Sequence, residues 1–152
     1  MSEGAPTDAG AHVATLFVYG TLQLPEVMEA VTGRRFPDSE ATLRGYLRRR
    51  LEARTYPGIV PREGEETPGR LYRQIDPRSL ARLDVFEDRI YDRRRVQART
   101  AGGALVEAWA YVLAEPYAYL LSSEPWDARD FLARHRDAFL QSCKRFREEG
   151  VG

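Results

Sequence analysis

Leu16-Phe17-Val18-Tyr19-Gly20-Thr21-Leu22 is an apolar, β-branched and aromatic run that meets a glycine. Together with the residues just before it, the run over 13–19 predicts a buried strand. Gly20 ends that strand. Pro25 then opens a helical pattern with Val27, Met28 and Val31 on one side. Proline suits the first helical position, and Gly33 suits the position just past the last turn. A strand that runs through a glycine turn into a helix leaves backbone N–H groups that neither element claims. Such amides suit an anionic oxygen, and the nearby helix N-terminus adds a favourable dipole. An ordinary structural turn has the same pattern, so both readings stand at this point.

Outward from that turn, residues 42–53 predict a second strand, with Leu43, Leu47 and Leu51 recurring on one face. Tyr56-Pro57-Gly58-Ile59-Val60-Pro61 reads as a rigid extended or turning segment, because two prolines flank a glycine. Residues 62–68 (REGEETP) read as an exposed loop, and 69–75 (GRLYRQI) as another strand. Asp76 can cap a helix that has Pro77 at its first position. Leu80, Leu83 and Phe86 form the buried stripe of that helix, which puts Glu87 at its end. Residues 91–100 and 104–113 predict a hairpin turning at Ala101-Gly102-Gly103. In its second arm Leu105, Glu107, Trp109 and Tyr111 face one way, and Ala104, Val106, Ala108, Ala110 and Val112 the other. Residues 117–125 read as a connecting loop. Asp127 caps a long amphipathic helix with Phe131, Leu132, His135, Phe139, Cys143 and Phe146 on its inner face. Four or five strands with three helices predict an α+β fold. Residues 13–152 read as one domain, preceded by a mobile arm over 1–12.

Counting narrows the chemistry. The chain has 152 residues, with 23 Lys and Arg against 23 Asp and Glu. Lys144 is the only lysine. A net charge of zero argues against a dedicated binder of nucleic acid or of an anionic membrane. With one cysteine, Cys143, and two histidines, His12 and His135, there is no zinc-ligand cluster and no internal disulfide. Cys143 and His135 stand about 12 Å apart along one helix, too far for a nucleophile–base pair. No G-x-S-x-G elbow and no phosphate-binding P-loop occur. No apolar run is long enough to span a membrane, and the N-terminus lacks the basic start and apolar stretch of a signal peptide. These features predict a soluble, cytoplasmic protein. Catalysis would then rest on carboxylates, tyrosines, arginines and backbone amides.

Among the carboxylates, Glu87 draws attention. It lies just past an apolar stripe, in Asp84-Val85-Phe86-Glu87, with Tyr91 and Arg93 following. A carboxylate at the lip of a core is partly desolvated, which raises its pKa toward general-base values. A solvated helix-end residue held by Arg89, Arg93 or Arg94 fits the same pattern. The basic runs Arg48-Arg49-Arg50 and Arg93-Arg94-Arg95 fall on predicted strands, so alternate residues face opposite ways. They read as ion-pairing faces rather than a nucleic-acid track. Trp126, Phe131 and His135 read as core.

Taken in order, YGTL at 19–22, YPGIVP at 56–61, GRLY at 69–72, the LDVFED element from Leu83 with Tyr91 and Arg93, and AWAYV at 108–112 resemble the γ-glutamylcyclotransferase-like family. The resemblance spans roughly residues 15 to 142. It is strongest to the branch of plant avirulence-induced-gene-like (AIG2-like) proteins, which share a W-D-x-x-x-F helix, here Trp126 to Phe131. It implies a small mixed β-barrel with packed helices. It also implies an enzyme that releases 5-oxoproline from a γ-glutamyl compound with no metal or organic cofactor. Tyr19, Gly20, Thr21 and Leu22 would hold the glutamyl α-carboxylate through backbone amides, and Glu87 would be the catalytic acid/base. Tyr56, Gly58 and Ile59 would form a pocket wall, with Tyr91 and Tyr111 near the pocket. The implied partner is a small γ-glutamyl substrate, with neither nucleic acid nor membrane. A non-catalytic metabolite-binding or regulatory member of the same fold is the alternative.

Overall fold

The apolar run forms β1 (Ala14–Val18) in a computed structural model that describes residues 13–87 and 89–150. The arm expected over 1–12 lies outside the described residues. Four more strands follow: β2 (Asp38–Arg50), β3 (Pro57–Ile75), β4 (Tyr91–Thr100) and β5 (Leu105–Leu113). They close into a barrel in the order β1-β3-β2-β4-β5. Every neighbouring pair is antiparallel except the seam, where β1 runs parallel to β5 at Leu16 and Trp109. The expected small mixed barrel in an α+β fold is therefore present.

The period-two pattern of the strands separates two apolar faces. Phe17, Leu43, Ile59, Leu71, Val96, Ala98, Ala108, Ala110 and Val112 fill the barrel interior. The alanines of β4 and β5 are small where the Phe17 ring needs room, as the tight interior of a narrow barrel demands. The alternate residues of β1, Leu16 and Val18, face outward. They pack with Tyr72, Ile75, Tyr111 and the helices. Three helices form that cover: α1 (Pro25–Thr32), α2 (Pro77–Phe86) and α3 (Ala128–Arg145). Their ends follow the sequence signals. Gly33 closes α1 in the left-handed conformation at φ 82°, its N–H on the Glu29 carbonyl at 2.7 Å. The Asp76 carboxylate accepts from the Ser79 N–H at 3.1 Å, and Asp127 from the Arg129 N–H at 2.9 Å.

Three expectations need correction. The second strand covers 38–50 rather than 42–53. It starts earlier because Asp38–Arg44 pair with β3. It stops earlier because the chain turns at 51–54, where Ala53 has φ 60°. The turning segment at 56–61, the loop at 62–68 and the strand at 69–75 are one strand, β3. Residues 66–68 pair with 42–44, and 57–61 pair with 46–50. The register changes between those blocks, so 62–65 form an exposed bulge opposite Gly45, with Gly64 at φ 88°. The connection at 117–125 is partly ordered by a 3-10 turn over Glu115–Leu120 and a bridge from Leu121 to Leu51. Among the described residues, no helix is long and apolar enough to cross a membrane.

Candidate active site

At the end of β1 the chain leaves the barrel through Tyr19 and Gly20 into a 3-10 turn, Thr21–Gln23. The first amides of a 3-10 turn find no carbonyl within the turn to bond. A Cβ on Gly20 would lie 3.0 Å from Cγ and Cδ of Pro57, so a side chain here would crowd the proline ring. Opposite the loop, α2 ends at Phe86. Glu87 takes extended angles, φ −69° and ψ 143°, with its N–H on the Leu83 carbonyl at 2.9 Å. That break in the helix follows directly on the buried stripe of Leu83 and Phe86 and leaves the Glu87 side chain half-buried.

The loop and Glu87 line one cavity of about 290 Å³. Its wall contains Tyr19, Gly20, Thr21, Leu22, Tyr56, Glu87, Tyr91 and Tyr111 from the expected set. Gly58 and Ile59 do not belong to it. Ile59 is fully buried inside the barrel, and a Cβ on Gly58 would touch Leu51 at 3.0 Å. Pro57, one residue earlier, lines it instead: the Gly58 backbone lies against Leu51, and Ile59 turns into the barrel. Val18, Phe86 and Phe139 complete the wall and were not expected there. Phe86 adjoins Glu87 in sequence, a signal that was available. Phe139 reaches the cavity only through the docking of α3.

Hydroxyls brace the wall. The Tyr91 hydroxyl donates to the Pro57 carbonyl at 2.6 Å, fixing the residue that faces Gly20. Tyr19 donates to the Tyr111 carbonyl at 2.6 Å, across the β1–β5 seam. The Tyr111 hydroxyl donates to Asp84 Oδ1 at 2.7 Å. Asp84 in turn accepts from Arg93 Nε at 2.8 Å and Nη2 at 3.2 Å. Asp84 lies one turn before Glu87, so this network anchors the end of α2 to β4 and β5. Arg93 also lies over the Trp109 ring, 4.3 Å from its centroid. Burial, then the charge of Glu87, holds the Tyr19 phenol well above its ordinary pKa. Tyr111 is raised by burial, then by its bond to Asp84. Both remain protonated donors at neutral pH. Cys143, beneath the cover, is pushed up to about 12 by burial and by the Glu87 charge.

The remaining arginines of the two runs spread over separate contacts. Arg50 pairs with Glu124, Arg94 with Asp92, and Arg95 with Glu107. Arg48 and Arg49 donate to backbone carbonyls. Trp126 and Phe131 are buried, and His135 packs on Phe131. Among the described residues, no group of three His, Cys, Asp or Glu side chains is placed to hold a metal ion.

A profile of the family described as gamma-glutamyl cyclotransferase, AIG2-like, matches residues 16–128, from the strand before the Gly20 turn to the start of α3. The chain belongs to this family. AIG2-like protein C of Arabidopsis thaliana is 31% identical over 145 residues, covering 92% of this chain and 81% of the relative. A solution structure of another Arabidopsis thaliana protein superposes with a TM-score of 0.67 at 27% identity, covering 90% of this chain and 92% of that one. A mouse AIG2-like protein shares the fold with a TM-score of 0.59 at 23% identity, over 76% and 89% of the two chains. The matched segment carries the Gly20 loop, Glu87 and the cavity residues of β1, β3, β4 and β5. Of the cavity wall, Phe139 alone lies beyond it.

Proposed function

We propose that this protein is a γ-glutamylcyclotransferase that releases 5-oxoproline and an amine from a γ-glutamyl compound, with Glu87 as its acid/base. One observation carries the reading: Glu87 and the Tyr19–Leu22 loop line the same small cavity. Family membership supports the same reading.

The chemistry asks little of the protein. The substrate's α-amine is tethered to its own γ-carbonyl, and attack closes a five-membered ring, so effective molarity is already high. The new C–N bond forms as the amine loses a proton to Glu87. The old C–N bond breaks as the leaving nitrogen takes that proton back. One carboxylate serves both steps. The first amides of the Gly20 turn hold the substrate's α-carboxylate, and Tyr19 and Tyr91 keep that end of the cavity rigid. Beyond Glu87, Thr21 and the tyrosines, the described wall is apolar, with Phe86 and Phe139 among its members, and it has no cationic side chain. A leaving group with its own carboxylate would find no counter-charge there. An amine is therefore the better leaving group than an amino acid.

The test is a panel of γ-glutamyl amines and γ-glutamyl amino acids, with 5-oxoproline followed by mass spectrometry. Turnover of the amines, lost by at least about a hundredfold in Glu87→Gln with the fold intact, is the expected result. Full activity in Glu87→Gln would remove Glu87 from this role. Tight binding without turnover across the panel would instead favour a metabolite-binding member of the fold.

A further inference from the structure

Arg48 lies on β2 and is not part of the cavity wall, yet its contacts lead to it. Nη1 donates to the Tyr19 carbonyl at 2.7 Å and, at a longer 3.4 Å, to the Pro68 carbonyl. The guanidinium sits over the Trp126 ring, 5.5 Å from its centroid. Trp126 is itself fixed, its Nε1 donating to the Thr55 carbonyl at 2.7 Å. Asp127, the cap of α3, adds an opposing charge to a guanidinium whose pKa is drawn down by burial. Arg48 is thus held on one side by an aromatic face and spends a hydrogen bond on one particular peptide.

That peptide joins Tyr19 to Gly20. A trans peptide is planar, so its C=O and N–H point in opposite directions. With the Tyr19 oxygen turned to Arg48, the Gly20 N–H turns away from Arg48. Tyr19 and Gly20 line the cavity and Arg48 does not, so the cavity lies on a side of this peptide that Arg48 leaves open. A Cβ at position 20 would crowd Pro57. Glycine also lets a peptide plane rotate more freely than any other residue. A lock on the carbonyl offsets that freedom. A charged donor on the C=O further polarises the peptide and strengthens its N–H as a donor.

We propose that Arg48, seated on Trp126, is a positioning residue that holds the Tyr19–Gly20 peptide with its N–H toward the carboxylate of the substrate. This rests on the cyclotransferase reading above. It also gives a task to Trp126 and Asp127, which lie outside the cavity wall.

Glycine-selective ¹⁵N labelling of the full chain isolates the Gly20 amide, which is assigned by its loss in Gly20→Ala. In Arg48→Met the Gly20 cross-peak shifts or broadens. KM for a γ-glutamyl amine rises about tenfold or more, the loss of one charge-assisted hydrogen bond, while kcat changes little. Arg48→Lys restores part of both, since an ammonium can donate to the carbonyl but does not stack on the ring. It also carries the measurement if Arg48→Met fails to fold. Trp126→Leu moves the same cross-peak by less. An unmoved Gly20 cross-peak in folded variants, or a fall in kcat at unchanged KM, overturns the assignment. Absence of turnover in the unmodified protein overturns the cyclotransferase reading instead, and the Gly20 cross-peak still decides the role of Arg48.

Discussion

Gly20 meets two demands at once, contact with Pro57 and an open approach for a ligand. Gly20→Ala drives a methyl against the proline ring, and Pro57 is held in turn by Tyr91. The expected cost is about 1 to 3 kcal/mol, as for other overpacked sites, read from urea unfolding, together with weaker substrate binding. Cys143 makes a different prediction. With its thiol pushed up to about 12, almost no thiolate exists at pH 8, and the residue is fully buried. Native protein should leave a disulfide reagent unreacted at pH 8 and release one equivalent after unfolding. At this scale the site was half legible. The place of Glu87 at the end of α2 could be read because its signal is local, the end of an apolar stripe beside Phe86. Gly58 and Ile59 lie off the cavity because the point where β3 enters the barrel, and its phase there, set which residues reach the mouth. No local pattern shows that phase in a segment rich in proline and glycine.

Strand β3 carries the largest difference between sequence and structure. A run with three prolines and three glutamates from Pro57 to Pro68 has the composition of turns and loops, yet it pairs with β2 on both sides of its bulge. Its polar side chains face solvent over 61–66, so nothing in their hydrophobicity marks the pairing. The helices were legible because caps and prolines act within a few residues. Two glycines of β3 separate packing from backbone effects. At Gly69 a Cβ would stand 2.1 Å from the Val18 carbonyl oxygen and 2.7 Å from Phe17 Cζ. Backbone cannot yield as a flexible side chain can, so Gly69→Ala should cost more than the about 1 to 3 kcal/mol usual for overpacking. It should also loosen β1 beside the site. At Gly64 a Cβ meets open space, and the strain of φ 88° alone remains. Gly64→Ala should therefore cost about 1 to 2 kcal/mol. Urea unfolding of the pair measures the difference.

Across the molecule, burial raises four acids together: Tyr19, Tyr72, Tyr111 and Cys143. In the unfolded chain these groups lose their protons near ordinary values, about 8.5 for cysteine and about 10 for tyrosine. The folded chain keeps them. Above those values the folded state binds more protons than the unfolded one, so stability falls as pH rises. It is unaffected by these groups at neutral pH. The urea midpoint should drop steadily from about pH 9 upward, and the three tyrosines should ionise, by absorbance near 295 nm, only as the fold is lost. The barrel as a whole was expected from the resemblance, while its strand order became visible only in three dimensions. That order has a consequence in time. The only pairing between β1 and β5 is the parallel seam at Leu16 and Trp109, and the Tyr19 hydroxyl crosses the same gap to Tyr111. As the chain leaves the ribosome from its N-terminus, β1 can pair with β3 well before β5 exists. The ring cannot shut until the chain has been made past Tyr111. Loop-closure entropy slows such distant contacts further. The cavity is thus among the last parts of the molecule to form, and a nascent chain stalled short of β5 carries a strand ladder without it.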